Sequence, residues 1–513
     1  KFDYESLRGH AALLTPASKE AVPAFKHAEN DFNAFNVETL IPHALTNEGP
    51  PVATGDVDGN GLQDVYVGGA KGQSGQLFLQ QRNGTWREVL NASFERDKSC
   101  EDIAAAFFDA DGDGRSDLLV AGGGQESPED PQVLAPRLYL NTQSGELVRA
   151  PNAFSRIFVN ASCIRPMDYD ADGDMDVFIG GSLMPLLYGM SPLSYLLVND
   201  GTGHFRPDPG WLGKSQFDNP THVRHGMVKD AVWCDLNNDH LPDLILAGEW
   251  MPVTILIQQT DHKFMNATTL WKLTSTRGWW NTLTAGDFDE DGDQDLIAGN
   301  EGLNTRLRAT TDKPVGMYLG DFDSNGSSDH IIVYYNGNKS YPFTSRDQLV
   351  KQIPSLKKKF LHYTDYRDVK LEDIITPQQQ GNSALMEAEL MSSVLLRNEG
   401  GHFTVHALPD EAQWSPIKSV LADDVNGDGH MDLLLGGNMT ATQPDLGPAD
   451  AGFGLMLQGD GQGNFLPVAA ERSGLIVSGE VRSIQRVKTS DGKKIYLISR
   501  NNDSLLGFRP AAK

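Results

Sequence analysis

The sequence has few cysteines, no long apolar run and no excess of basic residues, and each shortage excludes a class of protein. Its three cysteines, Cys100, Cys163 and Cys234, form no CxxC pair, which argues against a zinc site or a disulfide-stapled mini-fold. A single bridge from Cys100 to Cys163 is one hypothesis, and three small buried hydrophobic residues are the simpler interpretation. No run of 18 apolar residues occurs, so we expect no membrane span. The net charge of −26 argues against nucleic acid as a partner.

An acidic nine-residue segment is present in seven copies. The copies are DVDGNGLQD from Asp56, DADGDGRSD from Asp109, DYDADGDMD from Asp168, DLNNDHLPD from Asp235, DFDEDGDQD from Asp287, DFDSNGSSD from Asp321 and DVNGDGHMD from Asp424. A short apolar run follows each copy, for example VYVGG or LLLGG, and several copies also follow one. Each copy therefore predicts a loop that joins two short strands.

The spacing of the seven loops predicts an all-β propeller. Four of the six gaps suit one four-stranded blade each, whereas the 34 residues after Asp287 suggest a blade without outer strands. The 103 residues after Asp321 suggest a partly helical insertion at about 336–392, with Ser345 as an N-cap.

Eight blades are favoured and seven are the alternative. The apolar patterns at 481–487 and 493–501 resemble two blade strands without an acidic loop, which suggests an eighth, metal-free blade. Residues 32–43 could supply its outer strand and close the ring within a domain of residues 32–513, since closure removes exposed sheet edges. Residues 1–31 are then an N-terminal arm or linker.

Oxygen-bearing side chains recur at fixed positions of the loops. Position 1 holds Asp56, Asp109, Asp168, Asp235, Asp287, Asp321 and Asp424. Position 3 holds Asp58, Asp111, Asp170, Asn237, Asp289, Asp323 and Asn426. Position 5 holds Asn60, Asp113, Asp172, Asp239, Asp291, Asn325 and Asp428. Position 9 holds Asp64, Asp117, Asp176, Asp243, Asp295, Asp329 and Asp432. Position 7 varies, as expected if only its carbonyl is a ligand, and holds Leu62, Arg115, Asp174, Leu241, Asp293, Ser327 and His430.

These side chains predict up to seven calcium sites. Alternating carboxylates in a tight loop can direct hard oxygen ligands at one point, which calcium prefers. An EF-hand is excluded, because position 12 of these loops is apolar and not a glutamate. Positions 1, 3, 5 and 9 contain 24 Asp residues, and without them the net charge of −26 would be only −2. The acidity of the chain therefore belongs almost entirely to the loops.

The chain resembles the FG-GAP/VCBS repeat propellers, whose calcium loops also occur in integrin α-subunit heads. The motifs that carry the resemblance are GDVDGNGLQDVYVGGAKGQ (55–73), GMVKDAVWCDLNNDHLPDLILAGEWMP (226–252), GWWNTLTAGDFDEDGDQDLIAGNEGLN (278–304) and YPFTSRDQLVKQIPSLKKKF (341–360). They are most similar to the cartilage-acidic-protein/UnbV-like branch. The resemblance implies structural calcium held by positions 1, 3, 5 and 9. Asn at Asn60, Asn237, Asn325 and Asn426 departs from the acidic pattern and predicts weaker sites.

Two classes of function fit the sequence. The favoured one is a non-enzymatic extracellular or cell-surface module that binds a glycan or a protein at a propeller face. The alternative is a polysaccharide-active, lyase-like enzyme, for which the sequence shows no cluster of basic catalytic residues. Trp250, Trp279 and Trp280 could face such a ligand, although filling the wedges between blades is the simpler interpretation for at least two of them. No signal peptide precedes Lys1, so one was absent or already removed.

Overall fold

The computed structural model describes residues 12–127, 129–212 and 224–511. Its first strand, β1 (Leu14–Pro16), precedes a run of four-stranded antiparallel sheets. Sheet 1 contains β2 (Val52–Gly55), β3 (Asp64–Val67), β4 (Gln76–Gln80) and β5 (Trp86–Val89). Sheet 2 contains β6 (Glu101–Phe108), β7 (Asp117–Gly123), β8 (Arg137–Asn141) and β9 (Leu147–Arg149). Sheet 3 contains β10 (Ala161–Met167), β11 (Asp176–Gly181), β12 (Tyr195–Asn199) and β13 (Phe205–Pro207).

The later sheets are less regular than the first three. Sheet 4 contains β14 (Met227–Cys234), β15 (Asp243–Met251), β16 (Thr254–Gln258) and β17 (Phe264–Asn266), and β18 (Gly278–Trp279) also pairs with β15. Sheet 5 contains β19 (Thr282–Gly286), β20 (Asp295–Gly299), β25 (Val394–Asn398) and β26 (Phe403–Ala407). Between β20 and β25 lies a separate sheet, the insert sheet, with β21 (Val315–Gly320), β22 (Asp329–Asn336), β23 (Lys339–Pro342) and β24 (Ala384–Ala388).

Two more sheets complete the described part of the chain. Sheet 6 contains β27 (Ile417–Asp423), β28 (Asp432–Gly437), β29 (Leu455–Gly459) and β30 (Phe465–Val468). Sheet 7 contains β31 (Val481–Lys488), β32 (Lys494–Arg500) and β33 (Leu506–Pro510), with β1 at its outer edge. The helices are short: α1 (Ala92–Arg96), α2 (Arg346–Gln352), α3 (Tyr363–Tyr366), α4 (Leu371–Ile374), α5 (Pro377–Asn382) and α6 (Ala470–Ser473). Single 3₁₀ turns occur at Lys19–Ala21, Ala34–Asn36, Pro131–Leu134, Pro354–Lys358 and Asp410–Gln413.

The second strand of a sheet is its most deeply buried part. Every residue of β7 and of β15 is buried, which matches their continuous apolar sequences. A strand covered on both faces has no reason to alternate between apolar and polar residues. Apolar clusters form between successive sheets, as where residues of β7 and β11 share one cluster. The core is therefore divided into layers between sheets.

The first strands of the seven numbered sheets contact one another in a closed cycle. The contacts run from β2 through β6, β10, β14, β19, β27 and β31, and from β31 back to β2. This is the arrangement expected of a β-propeller. The insert sheet interrupts sheet 5, and its β24 contacts β15 and β18 instead. Among the described residues this cycle of contacts contains seven first strands, and that of the insert sheet is not one of them.

The insertion begins earlier than the sequence suggested. It occupies the segment between Gly299 and Val394, and so includes the Asp321 loop as well as helices α2 to α5. The short gap after Asp287 does not reflect a blade without outer strands, because β25 and β26 supply them after the insertion. Ser345 lies at the N-cap of α2, although its side chain makes no capping hydrogen bond.

The ring is closed by a different segment from the one expected. Sheet 7 has the predicted strands at 481–488 and 494–500, and a loop without an acidic motif joins them. Its outer strand is β1, which pairs with β33, rather than residues 32–43. Residues 32–43 form a 3₁₀ turn followed by turns and bends, and His43 makes an isolated bridge to Thr442. Of the expected N-terminal arm or linker, residues 14–16 thus belong to sheet 7, whereas residues 1–11 lie outside the described residues.

The cysteines and the helices bear on two classes of protein that the sequence argued against, disulfide-stapled folds and membrane-spanning proteins. The three cysteines are free, and Cys100 and Cys163 are buried, as the simpler interpretation had it. Burial raises the pKa of the Cys163 thiol to about 11, which keeps it protonated and unreactive. Among the described residues, none of the helices is long and apolar enough to cross a membrane.

Strand β1 yields a test of ring closure. Leu14 is fully buried among residues of β31 to β33, whereas the neighbouring Thr15 is exposed. We expect Leu14→Ala to lower the free energy of unfolding by about 2–5 kcal/mol, because it leaves a cavity in this cluster. Thr15→Ala is the matched control and should change it by less than about 0.5 kcal/mol. Urea unfolding measures both, and equal effects would show that β1 does not close the ring.

Candidate metal centres

Each acidic loop connects the first and second strands of a sheet. Six of the loops lie in sheets 1 to 6 and the seventh, at Asp321, lies in the insert sheet. Positions 4 and 6 of every loop have a positive φ. At position 4 these residues are Gly59, Gly112, Ala171, Asn238, Glu290, Ser324 and Gly427. At position 6 they are Gly61, Gly114, Gly173, His240, Gly292, Gly326 and Gly429. These left-handed turns bring the side chains of positions 1, 3 and 5 to the same side.

The aspartate at position 1 organises the turn. In the first loop, Asp56 Oδ1 accepts the Asn60 N–H at 3.1 Å and Oδ2 accepts the Gly61 N–H at 2.9 Å. The same pair of hydrogen bonds recurs at Asp109, Asp235, Asp287, Asp321 and Asp424. The loops are therefore folded by backbone hydrogen bonds to a carboxylate, before any cation is considered.

The aspartate at position 9 is completely buried in all seven loops. Asp117 shows the pattern: Oδ2 accepts the Ala110 N–H at 2.8 Å, and Oδ1 accepts the Asn141 N–H at 2.7 Å. This carboxylate links its own loop to the end of the third strand of the same sheet. Burial raises the pKa of Asp117 to about 6, and raises that of Asp176 to about 7. A buried carboxylate of this kind requires a compensating positive charge to be ionised.

Several loop oxygens lack any partner although they are buried. These atoms are Asp111 Oδ1, Asp168 Oδ1, Asp170 Oδ1, Asp176 Oδ2 and Asp289 Oδ1. In the loops at Asp56, Asp109 and Asp168, carboxylate oxygens from positions 1, 3 and 9 lie within 4.8 Å of one another, and in the loop at Asp287 those from positions 1, 3 and 5 do. Unpartnered, converging carboxylate oxygens fit a hard divalent cation, which would supply both the charge and the missing contacts.

The loops at Asp235 and Asp424 have an uncharged asparagine at position 3, where the other loops have an aspartate. Asn237 Nδ2 donates to Asp239 Oδ2 at 2.9 Å, and Asn426 Nδ2 donates to Asp428 Oδ2 at 2.8 Å. The amide thus satisfies part of the position 5 carboxylate that a cation would otherwise satisfy. That these two loops hold calcium more weakly stays a prediction.

The Asp321 loop has a different support from the others. Asp329 Oδ1 accepts a hydrogen bond from the side chain of Gln352, at 2.7 Å, in place of a backbone N–H from a third strand. Gln352 is the last residue of α2, so the helical part of the insertion holds this loop.

Position 7 contributes no common side chain, as expected. Its backbone N–H donates to the position 5 side chain, for example from Leu62 to Asn60 Oδ1 at 2.8 Å. The side chain of Arg115 pairs with Asp113 and donates to the Asn141 carbonyl at 2.8 Å. A ligand role for the position 7 carbonyls stays a prediction.

A set of amide side chains supports the loops, and this role was not predicted from the sequence. The third strands of sheets 1 to 5 end in Gln80, Asn141, Asn199, Gln258 and Asn398. Asn141 Nδ2 donates to the Ser116 carbonyl of its own loop at 3.1 Å and to the Val57 carbonyl of the preceding loop at 2.8 Å. The other four likewise reach the preceding sheet, at Lys488, Ala110, Tyr169 and Leu236. The sequence feature that could have revealed them is the Asn or Gln at the end of each of these apolar third strands.

Sheet 6 has no such amide, because Gly459 occupies the equivalent position. Its joint to sheet 5 uses other groups: the Gly463 N–H donates to the Phe288 carbonyl at 3.0 Å. His430 Nδ1 also lies 2.6 Å from Glu290 Oε1, which connects the Asp424 and Asp287 loops. The loops of neighbouring sheets are thus coupled by direct hydrogen bonds.

The three tryptophans do not form a ligand-facing surface. Trp250, Trp279 and Trp280 are all buried. Trp250 and Trp279 meet edge to face with ring centres 5.1 Å apart, and Trp280 Nε1 donates to the Thr276 carbonyl at 2.9 Å. Trp250 and Trp279 pack beside the N-terminal segment and the insert sheet, and Trp280 packs between sheets 4 and 5. The simpler interpretation, that they fill space between sheets, therefore describes them, and the burial of all three contradicts a ligand-facing role.

The loops and the ring define a β-propeller with FG-GAP-like repeats. The model of the FG-GAP-like repeat matches residues 56–120, 109–179 and 235–298, which include five of the seven acidic loops. The chain does not match any curated protein sequence. It is similar to the crystal structure of the V. cholerae biofilm matrix protein Bap1, with 11% identity and a TM-score of 0.35 over 96% of this chain and 91% of that one. It is also similar to BBS1N in complex with ARL6DN, with 9% identity and a TM-score of 0.42 over 98% of both chains.

The amide side chains give a test of how the loops are held. Asn141→Ala removes donors from two buried carbonyls, so we expect it to cost about 1–3 kcal/mol of unfolding free energy. Asn464→Ala, an exposed asparagine in sheet 6, should cost less than about 0.5 kcal/mol. Denaturant titration in saturating calcium compares the two variants, and similar stabilities would contradict a joint between sheets 1 and 2.

Proposed function

We propose that this chain is a non-enzymatic, calcium-stabilised extracellular scaffold that binds a glycan at the propeller face opposite the acidic loops. The observation that carries the proposal is a groove of about 560 Å³ at the end of sheet 6, flanked by two exposed aromatic side chains. We also propose that the chain belongs to the cartilage-acidic-protein-like branch of these repeat proteins.

The acidic loops supply the scaffold. Their carboxylates are already arranged by backbone hydrogen bonds, and buried oxygens converge within them. Calcium would then neutralise the position 9 carboxylates that connect loop and strand. Extracellular modules commonly use calcium sites with dissociation constants on the order of 10⁻⁴–10⁻³ M, which suits this location. A rigid ring of this kind leaves its opposite edge free to vary and to bind.

The groove lies at the other end of sheet 6 from the Asp424 loop. It is lined by the start of β27, the end of β28, the start of β29 and the end of β30. Trp414 is 52% exposed and Phe453 is 59% exposed, and both line this groove. Exposed large aromatic rings cost hydration energy, and their grouping in one concave surface is typical of a binding site.

The charges around the groove favour an uncharged glycan. Glu411 and Glu471 lie on its wall, and no lysine or arginine is among its described lining residues. A polyanionic polysaccharide would be repelled at such a surface. Flat aromatic faces can cover the apolar faces of sugar rings while hydroxyl groups stay hydrated. A protein partner could use the same aromatic side chains, and binding measurements on variants of these residues distinguish the two partners.

The central cavity does not favour the lyase alternative. It has a volume of about 240 Å³ and is lined by the first strands of the ring. Its cations face carboxylates: Lys229 Nζ lies 2.5 Å from Glu48 Oε2, and Lys418 Nζ lies 3.7 Å from Glu48 Oε1. Arg482 is bound to Glu480 at 2.6 Å. Cations held in this way are poor candidates for abstracting a proton from a sugar ring.

Chelation tests the calcium part of the proposal. Removing calcium with EDTA should lower the melting temperature by about 10 °C or more, because each site saturated at 100 times its dissociation constant contributes about 2.7 kcal/mol. Added calcium should restore the original value. Asp109→Asn should reduce the calcium-dependent part, whereas Asp450→Asn, at an exposed aspartate outside the loops, should not. A melting temperature that is unchanged in protein shown to be metal-free would contradict the proposal.

Glycan arrays and isothermal titration test the groove. Trp414→Ala and Phe453→Ala should each weaken glycan binding at least about tenfold, the loss of roughly 1.4 kcal/mol, and leave the melting temperature unchanged. Leu270→Ala is the matched control, at an exposed apolar residue in the connection between β17 and β18. Binding that survives both aromatic substitutions would contradict the assigned groove. If no glycan binds and a protein partner requires Trp414, the glycan assignment is wrong and the surface is a protein-binding one.

A further inference from the structure

A second kind of acidic cluster lies far from the seven loops, and we propose that it is a divalent-cation site formed by the carboxylates of Glu29 and Glu101 beside His27. A cation bound there would hold the N-terminal segment in place where the ring closes. The three side chains offer ligand atoms that lie within 4.8 Å of one another. Glu101 begins β6 and Asp109 follows its end, eight residues later, so about 27 Å of strand separates this cluster from the loop.

The side chains are buried and lack partners where they meet. His27 has no solvent exposure and Glu101 is 2% exposed, while the side chain of Glu29 is 7% exposed. His27 Nε2, both carboxylate oxygens of Glu29 and Glu101 Oε1 make no hydrogen bond. Four unpartnered polar atoms in one buried place are costly, and a bound cation would account for the three carboxylate oxygens among them.

Neighbouring groups fix which atoms are free. The Lys71 N–H donates to Glu101 Oε2 at 2.6 Å, so the carboxylate is held with Oε1 left over. A Cβ built on Gly49 would lie 3.5 Å from Glu101 Oε1 and 3.6 Å from His27 Nε2. These two unpartnered atoms therefore flank the same backbone position, and a side chain there would also meet the Asp102 carbonyl oxygen at 2.7 Å.

The tautomer of His27 indicates the class of ligand. The Asn502 N–H donates to His27 Nδ1 at 3.1 Å, so the proton of the neutral ring is on Nε2. The imidazole then presents an N–H to the cluster in place of a lone pair, so it does not bind the metal and the ligands are carboxylate oxygens. A hard cation such as calcium, magnesium or manganese fits oxygen ligands, whereas zinc would be expected to use the imidazole.

The charges nearby do not already neutralise the cluster. Within the described residues, Glu29 pairs only with His27, at 3.8 Å from Nδ1, and Glu101 has no ion pair with a lysine or arginine. Lys71 Nζ is directed to Ser127 Oγ at 2.6 Å, and Arg482 is bound to Glu480. Two buried carboxylates without a counter-ion are unfavourable, and a divalent cation would balance both.

The position of the cluster explains what such a cation would do. The His27 N–H donates to the Asp503 carbonyl at 3.0 Å, which attaches this segment to the turn between β32 and β33. Glu101 belongs to sheet 2, on the far side of sheet 1. A cation between Glu29 and Glu101 would therefore connect the closing sheet 7, the N-terminal segment and sheet 2.

Crystals of the full chain equilibrated with Mn²⁺ test the proposal through the anomalous signal of the metal. We expect a peak within ligand distance of Glu29 and Glu101 as well as peaks in the acidic loops. The double variant Glu29→Gln/Glu101→Gln should lose the first peak and keep the others. Loops that bind Mn²⁺ while this cluster stays empty in the unsubstituted chain would overturn the proposal and leave the loop sites untouched.

Thermal unfolding separates a cation site from a purely hydrogen-bonded cluster. In saturating Mn²⁺ the double variant should melt several degrees below the unsubstituted chain, and in EDTA it should melt at the same temperature or higher. Glu95→Gln, at an exposed glutamate in α1, is the control and should show no difference in either condition. An equal loss of stability with and without metal would mean that the carboxylates act only as hydrogen-bond acceptors, and would overturn the proposal.

Discussion

The buried carboxylate at position 9 of each loop is the interaction on which the rest of the structure depends. In sheets 1, 2, 4, 5 and 6 it accepts an N–H from its own loop and a second N–H from the third strand. In sheet 3, Asp176 accepts the third-strand N–H of Asn199, and its other oxygen is unpartnered. One side chain thus joins the turn, the second strand and the third strand of a sheet. Its burial favours the protonated form, so ionisation and cation binding are coupled to the folding of the blade.

The joints between sheets continue the same chain of contacts. The amide at the end of the third strand donates to its own loop and to the loop of the preceding sheet, as Asn199 does to Met175 and Ala110. Loops that could bind cations are in this way connected around the ring, and their order depends on neighbours as well as on ligands. Sheet 7 has no acidic loop and instead receives β1 from the beginning of the chain, which couples closure to the N-terminal segment.

Much of this could be predicted from the sequence because the repeat is local. The loop positions, the strands on either side and the metal-free pair of strands at 481–500 follow from residues within a few positions of one another. The FG-GAP-like repeat was recognisable for the same reason. The insertion was placed too late, because a loop motif inside the insertion looks the same in sequence as one inside a blade. For the tryptophans the sequence left packing and ligand contact open, because burial at the end of a sheet depends on segments distant in sequence, including the N-terminal segment and the insert sheet.

The sequence by itself determined the chemistry of the loops, since alternating Asp, Asn and Gly residues impose both the turn and the convergence of oxygen ligands. Tertiary structure alone decided which strands share a sheet. It showed that β25 and β26 complete sheet 5 after a long insertion and that β1 closes sheet 7. It also brought His27, Glu29 and Glu101 together, although the four strands of sheet 1 lie between the two glutamates in the chain. The physical reason is that hydrogen bonds between strand edges and the exclusion of water from carboxylates depend on contacts that no local pattern records.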